Sequence, residues 1–124
     1  MMLSLVAVFV GGGAGSCCRY LLSKVINEKC VPLGTFVVNV LGCFIFGVLV
    51  SMFLHHSITQ TSKLLLLSGF CGGFTTFSTF CSETGYLLDG NGKNIIYGFI
   101  YPTLSIVVGI ISMYIGLRIP TVFS

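Results

Sequence analysis

Four long apolar runs dominate this chain, at residues 2–22, 33–54, 64–88 and 95–117. A helix needs about 20 residues at 1.5 Å rise to cross the hydrocarbon layer of a bilayer, and each run meets that length. The joints between them are short and polar: residues 23–32, 55–63 and 89–94. Asp89-Gly90-Asn91-Gly92 in the last joint is a strong turn signal. Charge settles the class. Six basic and three acidic side chains make up 7% of the chain, and mean hydropathy is +1.04. Soluble proteins carry about 25% charged residues, so this chain cannot build a water-facing surface. The reading is an all-α membrane protein with four transmembrane helices, a single domain over residues 1–124, multi-pass in the cell membrane. The opening MMLSLVAVFV lacks a basic segment and a small-residue cleavage site, so it reads as a retained first helix.

Orientation is weakly marked. Lys24, Lys29 and Lys93 fall on one side, with Arg19 close by. Lys63 and Arg118 fall on the other. Loop cations set topology, and so even a distribution allows insertion both ways up. An antiparallel, dual-topology dimer and a single orientation both remain open on this ground.

Small residues mark packing faces. Gly11 and Gly15 form a GxxxG pair, and Gly69 and Gly73 form another. Ser105, Gly109, Ser112 and Gly116 step along one face of the last run. A four-helix chain has little interior room, so these faces together suggest a tightly packed dimer, while for most of the individual glycines simple helix packing is the preferred reading. The six cysteines lie mostly within spans, with no CxxC pair and no zinc-like spacing. They read as small packing residues. His55-His56 reads as an interfacial cap.

Polar groups at membrane depth need a reason. Thr35 and Asn39 share a face of the second span. Tyr101 and Ser105 are four apart in the fourth, beside Pro102, which frees a carbonyl in the preceding turn. Ser78, Thr79 and Glu83 lie in the third. Neutral hydroxyl and amide donors suit a dehydrated anion that must also be able to leave. Arg19, one turn from the end of its run, either snorkels or anchors a packed network.

The third run carries Gly72-Gly73-Phe74-Thr75-Thr76-Phe77-Ser78-Thr79-Phe80. Each glycine weakens a helix by roughly 1 kcal/mol relative to alanine. Thr75 and Thr76 are good caps for a restarting helix. The third helix is therefore expected to break between Gly72 and Thr75, which a membrane tolerates where the break is buried in protein or lines a cavity. Carbonyls freed there suit a small hard cation, and the new N-terminus suits an anion. Phe77 and Phe80 share a face of the restarted helix, and aromatic ring edges carry positive charge.

The chain resembles the Fluc (CrcB) family of small fluoride channels. The resemblance rests on Gly12-Gly13-Ala14-Gly15-Ser16-Cys17-Cys18-Arg19-Tyr20, on Gly34-Thr35-Phe36-Val37-Val38-Asn39 with Gly42 after it, on the third-run stretch with Glu83 beyond, and on Tyr101 and Ser105. It implies an antiparallel dimer with two pores, each built from both chains, that exports fluoride passively and lowers it in the cytoplasm. It implies that Phe77 and Phe80 line the fluoride path and that Asn39 is the pore asparagine. Thr35, Ser78, Thr79, Tyr101 and Ser105 would supply lining or support, and Arg19 and Glu83 would lie near the pore mouths. Carbonyls of Gly72 and Thr75 from both chains would hold a structural sodium ion (Na+).

A small dual-topology drug/proton exporter is the main alternative. It needs an acidic residue in its first helices, and none lies in the first two runs; tryptophan is absent as well. An accessory subunit without transport gives no reason for Asn39 beside TTFSTF. An enzyme is disfavoured because no nucleophile–base pair or metal cluster is present. One non-autonomous half of a heterodimeric fluoride channel is a further alternative. The chain keeps Asn39 and both phenylalanines, so a self-sufficient homodimer is expected.

Overall fold

The computed structural model describes residues 1–28, 32–90 and 94–122. Four helical spans emerge: Met2–Asn27, Leu33–His55, Gln60–Leu88 and Ile96–Val122. All four are long and apolar enough to cross a membrane. Each expected run is present, and several run past their apolar limits. The first span continues through residues 23–27, where Asn27 Oδ1 accepts the Gly34 amide at 2.8 Å. That bond ties the end of the first helix to the start of the second. The third span starts early because Thr59 caps it, its hydroxyl accepting the Ser62 amide at 3.2 Å. The fourth runs past Leu117, with the Arg118 guanidinium over the Tyr114 ring. Gly90 takes φ +75° just after the third span, a conformation that glycine adopts without penalty. Lys29, Cys30, Asn91, Gly92 and Lys93 lie outside the described residues, so much of the turn signal and of the charge tally does too.

The spans pack as two pairs. The first lies along residues 60–74 of the third, and the second lies along the fourth. Backbone-to-backbone contact makes both pairs. Gly11 sits against the Leu65 carbonyl and Gly15 against the Phe70 carbonyl. Gly73 meets the Gly12 carbonyl. In the other pair Gly47 meets Met113 and Gly116 meets Phe44. Ser112 Oγ donates across that seam to the Val40 carbonyl at 2.9 Å. A Cβ at any of these glycines would collide with main chain, which does not yield as a flexible side chain does. Helix packing within the chain accounts for these glycines, and it neither requires nor excludes a further contact with a second copy. These faces are used within the chain, because small residues let any two helices approach, whether or not they belong to one molecule.

The third span has two limbs. The first, residues 60–74, widens to i→i+5 winding over Leu64–Cys71 before tightening at Gly72–Phe74. The second is Phe77–Leu88. Few side chains are fully enclosed; Ala7, Thr35, Val38, Ser51, Cys71 and Phe74 are. Large apolar residues cover the outside, as a chain solvated by lipid requires.

Candidate functional site

The break falls two residues later than the glycines suggest. Gly72 and Gly73 are helical. Thr75 (φ −84°, ψ 156°) and Thr76 (φ −144°, ψ 120°) are extended. Intrinsic propensity favours unwinding at glycine, but here the interruption is held by a partner on another helix. Asn39 of the second span grips the Thr76 main chain at two points. Its Nδ2 donates to the Thr76 carbonyl at 2.9 Å, and its Oδ1 accepts the Thr76 amide at 2.8 Å. The side-chain amide thus takes the place of a helical neighbour for that residue. The Thr76 hydroxyl then accepts the Thr79 amide at 3.3 Å, capping the second limb.

This grip has consequences for the first limb's last carbonyls. In a continuous helix Thr76 would donate to the Gly72 carbonyl. With its amide engaged by Asn39, that helical donor is withdrawn from Gly72. The Gly73 carbonyl is claimed from the first span, by Arg19 Nε at 3.0 Å and Ser16 Oγ at 3.4 Å. Thr75 returns both its amide (3.0 Å) and its hydroxyl (2.9 Å) to the Cys71 carbonyl. Arg19 therefore anchors a packed network at the broken helix end, where a cation also complements the helix dipole.

Glu83 on the second limb joins three spans. Thr35 Oγ1 donates to its Oε1 at 2.8 Å, and the Tyr101 hydroxyl donates to its Oε2 at 2.9 Å. Thr35 is 1% exposed, so this contact is deep. Around it runs an aromatic row. Phe80 lies 5.7 Å from Phe77 and 5.6 Å from Tyr101, ring centre to ring centre, tilted by 32° and 44°. Ser105 Oγ donates to the Tyr101 carbonyl at 2.7 Å, which steadies the turn beside Pro102.

Three cavities take in half of the candidate residues. Arg19, Thr35 and Thr79 meet in one of about 320 Å³, with Tyr20, Ser23, Lys24, Asn27 and Thr76. Tyr101 borders a second of about 240 Å³, lined by apolar residues of the second and fourth spans. Gly72 and Thr75 border a third of about 220 Å³. Asn39, Phe77, Ser78, Phe80, Glu83 and Ser105 line none of these three, and Phe77 is 77% exposed. Ser78 is exposed too, its hydroxyl 3.5 Å from that of Thr76. Sequence reading took Thr76 only as a cap, and passed over Ser23 and Asn27. The i, i+4, i+8 step from Arg19 through Ser23 to Asn27 was an available signal for one polar helix face. Nothing local marked the Thr76 main chain as Asn39's partner.

Residues 6–117 match the family described as CrcB-like protein, Camphor Resistance (CrcB). The chain belongs to the CrcB family. Every candidate residue of this CrcB chain, from Arg19 to Ser105, lies inside the matched span. Among curated relatives, the fluoride-specific ion channel FluC of Phocaeicola vulgatus is 42% identical over 121 residues, covering 94% of this chain and 97% of that protein. FluC of Gloeothece citriformis is 38% identical over 119 residues, covering 94% and 95%. FluC of Serratia proteamaculans is 51% identical over 92 residues, covering 71% and 72%.

Proposed function

We propose that this chain is a fluoride-specific ion channel of the cell membrane, not an enzyme, and that it exports fluoride passively. The observation that carries the reading is near full-length similarity to proteins named as such channels, with the candidate residues lying inside the matched span. The driving force needs no cofactor: a negative interior expels one anionic charge with about 2.3 kcal/mol per 100 mV.

In this reading the candidate residues take two roles, and their hydrogen bonds support the division. Thr35, Tyr101 and Ser105 spend their protons on Glu83 or on main chain. They support the path rather than donate to the ion. The Asn39 amide has two N–H bonds, and one goes to Thr76. Its second is free to meet fluoride. The Thr79 hydroxyl accepts from Thr76 at 3.1 Å, which leaves its own proton to donate. Those donors, with Ser78 and the ring edges of Phe77 and Phe80, replace water around a small, strongly hydrated anion. Arg19 and Lys24 make the cavity of about 320 Å³ attractive to an entering anion.

The working unit in this reading is an antiparallel dimer of identical chains with two pores. Exposed Phe77 supports it, since a pore built from one chain would enclose that ring. A structural sodium ion fits at Gly72 and Thr75. The Gly72 carbonyl lacks its helical donor, the space beside Gly72 is open, and carbonyl oxygens are the ligands a hard cation prefers. Such an ion would hold two broken helices together.

The test is to purify the chain alone, place it in liposomes and follow fluoride release with an ion-selective electrode. Release of fluoride without chloride is expected. Chloride release at a similar rate would overturn the selectivity. No release from a folded dimer would overturn self-sufficiency and point to a second, paralogous chain.

A further inference from the structure

The cavity of about 220 Å³ beside the break has a second character. Cys43 of the second span, Cys71 of the third and Met113 of the fourth all border it, together with Gly42, Gly72 and Thr75. Three sulfur-bearing residues from three different spans therefore border one small cavity. Cys71 is 3% exposed, and Cys43 and Cys71 are both free thiols. Among the described residues neither sulfur takes part in a hydrogen bond. Cys71 is thus a buried, unpartnered thiol on the wall of a cavity large enough for an ion. The Cys43 sulfur is also close to the fourth helix, where it would be 3.6 Å from a Cβ at Gly109.

Two thiols and a thioether are a soft ligand set. Such sets select soft monovalent metals of the copper(I) and silver(I) type over sodium, magnesium or calcium. We propose that Cys43, Cys71 and Met113 form a binding site for a soft monovalent cation. Binding forms metal–sulfur bonds while one thiol S–H bond breaks, its proton passing to water. No electron is transferred. One thiolate balances the single positive charge, and the second thiol and the thioether bind as neutral donors. The complex is then neutral overall, as an apolar surrounding requires. Hard carbonyl oxygen at Gly72 and Thr75 and soft sulfur at these three residues share one chamber without competing for the same ion.

Silver(I) nitrate in chloride-free buffer is a suitable probe. The parent protein is a chain with Cys17, Cys18, Cys30 and Cys81 replaced by serine, purified in detergent. After desalting, it is expected to retain one silver per chain by elemental mass spectrometry. Adding Cys43→Ser or Cys71→Ser should weaken retention at least about tenfold, and Met113→Leu by a smaller factor. Less than one silver per chain in the parent, or unchanged retention in the Cys43→Ser/Cys71→Ser double variant, overturns the proposal. The unaltered chain gives an independent reading: silver should protect half-buried Cys43 from maleimide alkylation, scored on its own peptide. Equal alkylation with and without silver overturns it as well. Neither readout involves fluoride, so the site stands or falls apart from the channel.

Discussion

The two limbs of the third span each carry a phenylalanine beside the break, Phe74 and Phe77, yet they are held by opposite means. Residues 60–74 are fixed by main chain. Gly69, Cys71 and Phe74 are buried, and the first span's glycines press directly on the limb's carbonyls. None of Phe77–Leu88 is buried. That limb is fixed by side-chain hydrogen bonds reaching from other spans: Asn39 at its start, Thr35 and Tyr101 at Glu83. One limb is a packing element; the other is a surface held in place so that its face stays available. The contrast is sharpest in Phe74, 4% exposed, against Phe77, 77% exposed.

The largest effect tests the packed limb. Phe74→Ala should cost about 3 kcal/mol, because truncating a buried phenylalanine leaves a cavity between helices whose association in lipid rests on close packing. Thermal unfolding of the purified chain would show it, together with poor recovery of monodisperse protein. A loss under about 1 kcal/mol would mean that the limb is not held as described.

The next effect falls on the joint between the limbs. Asn39→Asp keeps the acceptor for the Thr76 amide but sets a carboxylate oxygen against the Thr76 carbonyl. Leaving a buried group unsatisfied costs about 1–3 kcal/mol. Fluoride release should fall at least about tenfold, a factor equivalent to ~1.4 kcal/mol, while the protein stays folded. Wild-type flux in this variant would remove Asn39 from the path and from the joint. Smaller again is Arg19→Lys. Charge is kept, but an ammonium cannot present Nε at the Gly73 carbonyl in the same geometry. Unfolding should come earlier by about 1 kcal/mol, and a change confined to ion entry, with no loss of stability, would deny Arg19 its anchoring part.

What could be read before the structure follows from the same contrast. Four spans were plain because bilayer thickness fixes the length and apolarity a helix needs. The neighbourhood of the break was plain from Gly72 to Phe80, and so was the shared face of Thr35 and Asn39. The position of the break was not. Helix propensity is local and pointed at the glycines, whereas the interruption lies where Asn39 engages Thr76, 37 residues away in sequence. In a membrane the default backbone is helical even at glycine, since unpaired main chain has no water to turn to. Partner choice was hidden for a related reason. A small-residue face at Gly11 and Gly15 states that something comes close, not whether it is the Leu65 carbonyl of the same chain or a helix of another. Glu83 was visible as a membrane-depth acid, but its two donors sit 48 and 18 residues away in sequence.

The smallest effect on stability is the most informative about the exposed limb. Phe77→Ala removes a ring that touches little of its own chain beyond Phe80, so the unfolding of an isolated chain should shift by no more than about 0.5 kcal/mol. If a second copy covers Phe77, the same change should weaken dimer formation in bilayers and slow fluoride release. Stability of the lone chain and strength of association would then separate, which Phe74→Ala cannot achieve because it damages both. Equal loss of chain stability in the two variants would erase the distinction between the limbs. Unchanged association and unchanged flux in Phe77→Ala would leave the distinction standing, but would move both the dimer contact and the ion path off this ring and onto the inner side of the limb, at Thr79 and Phe80.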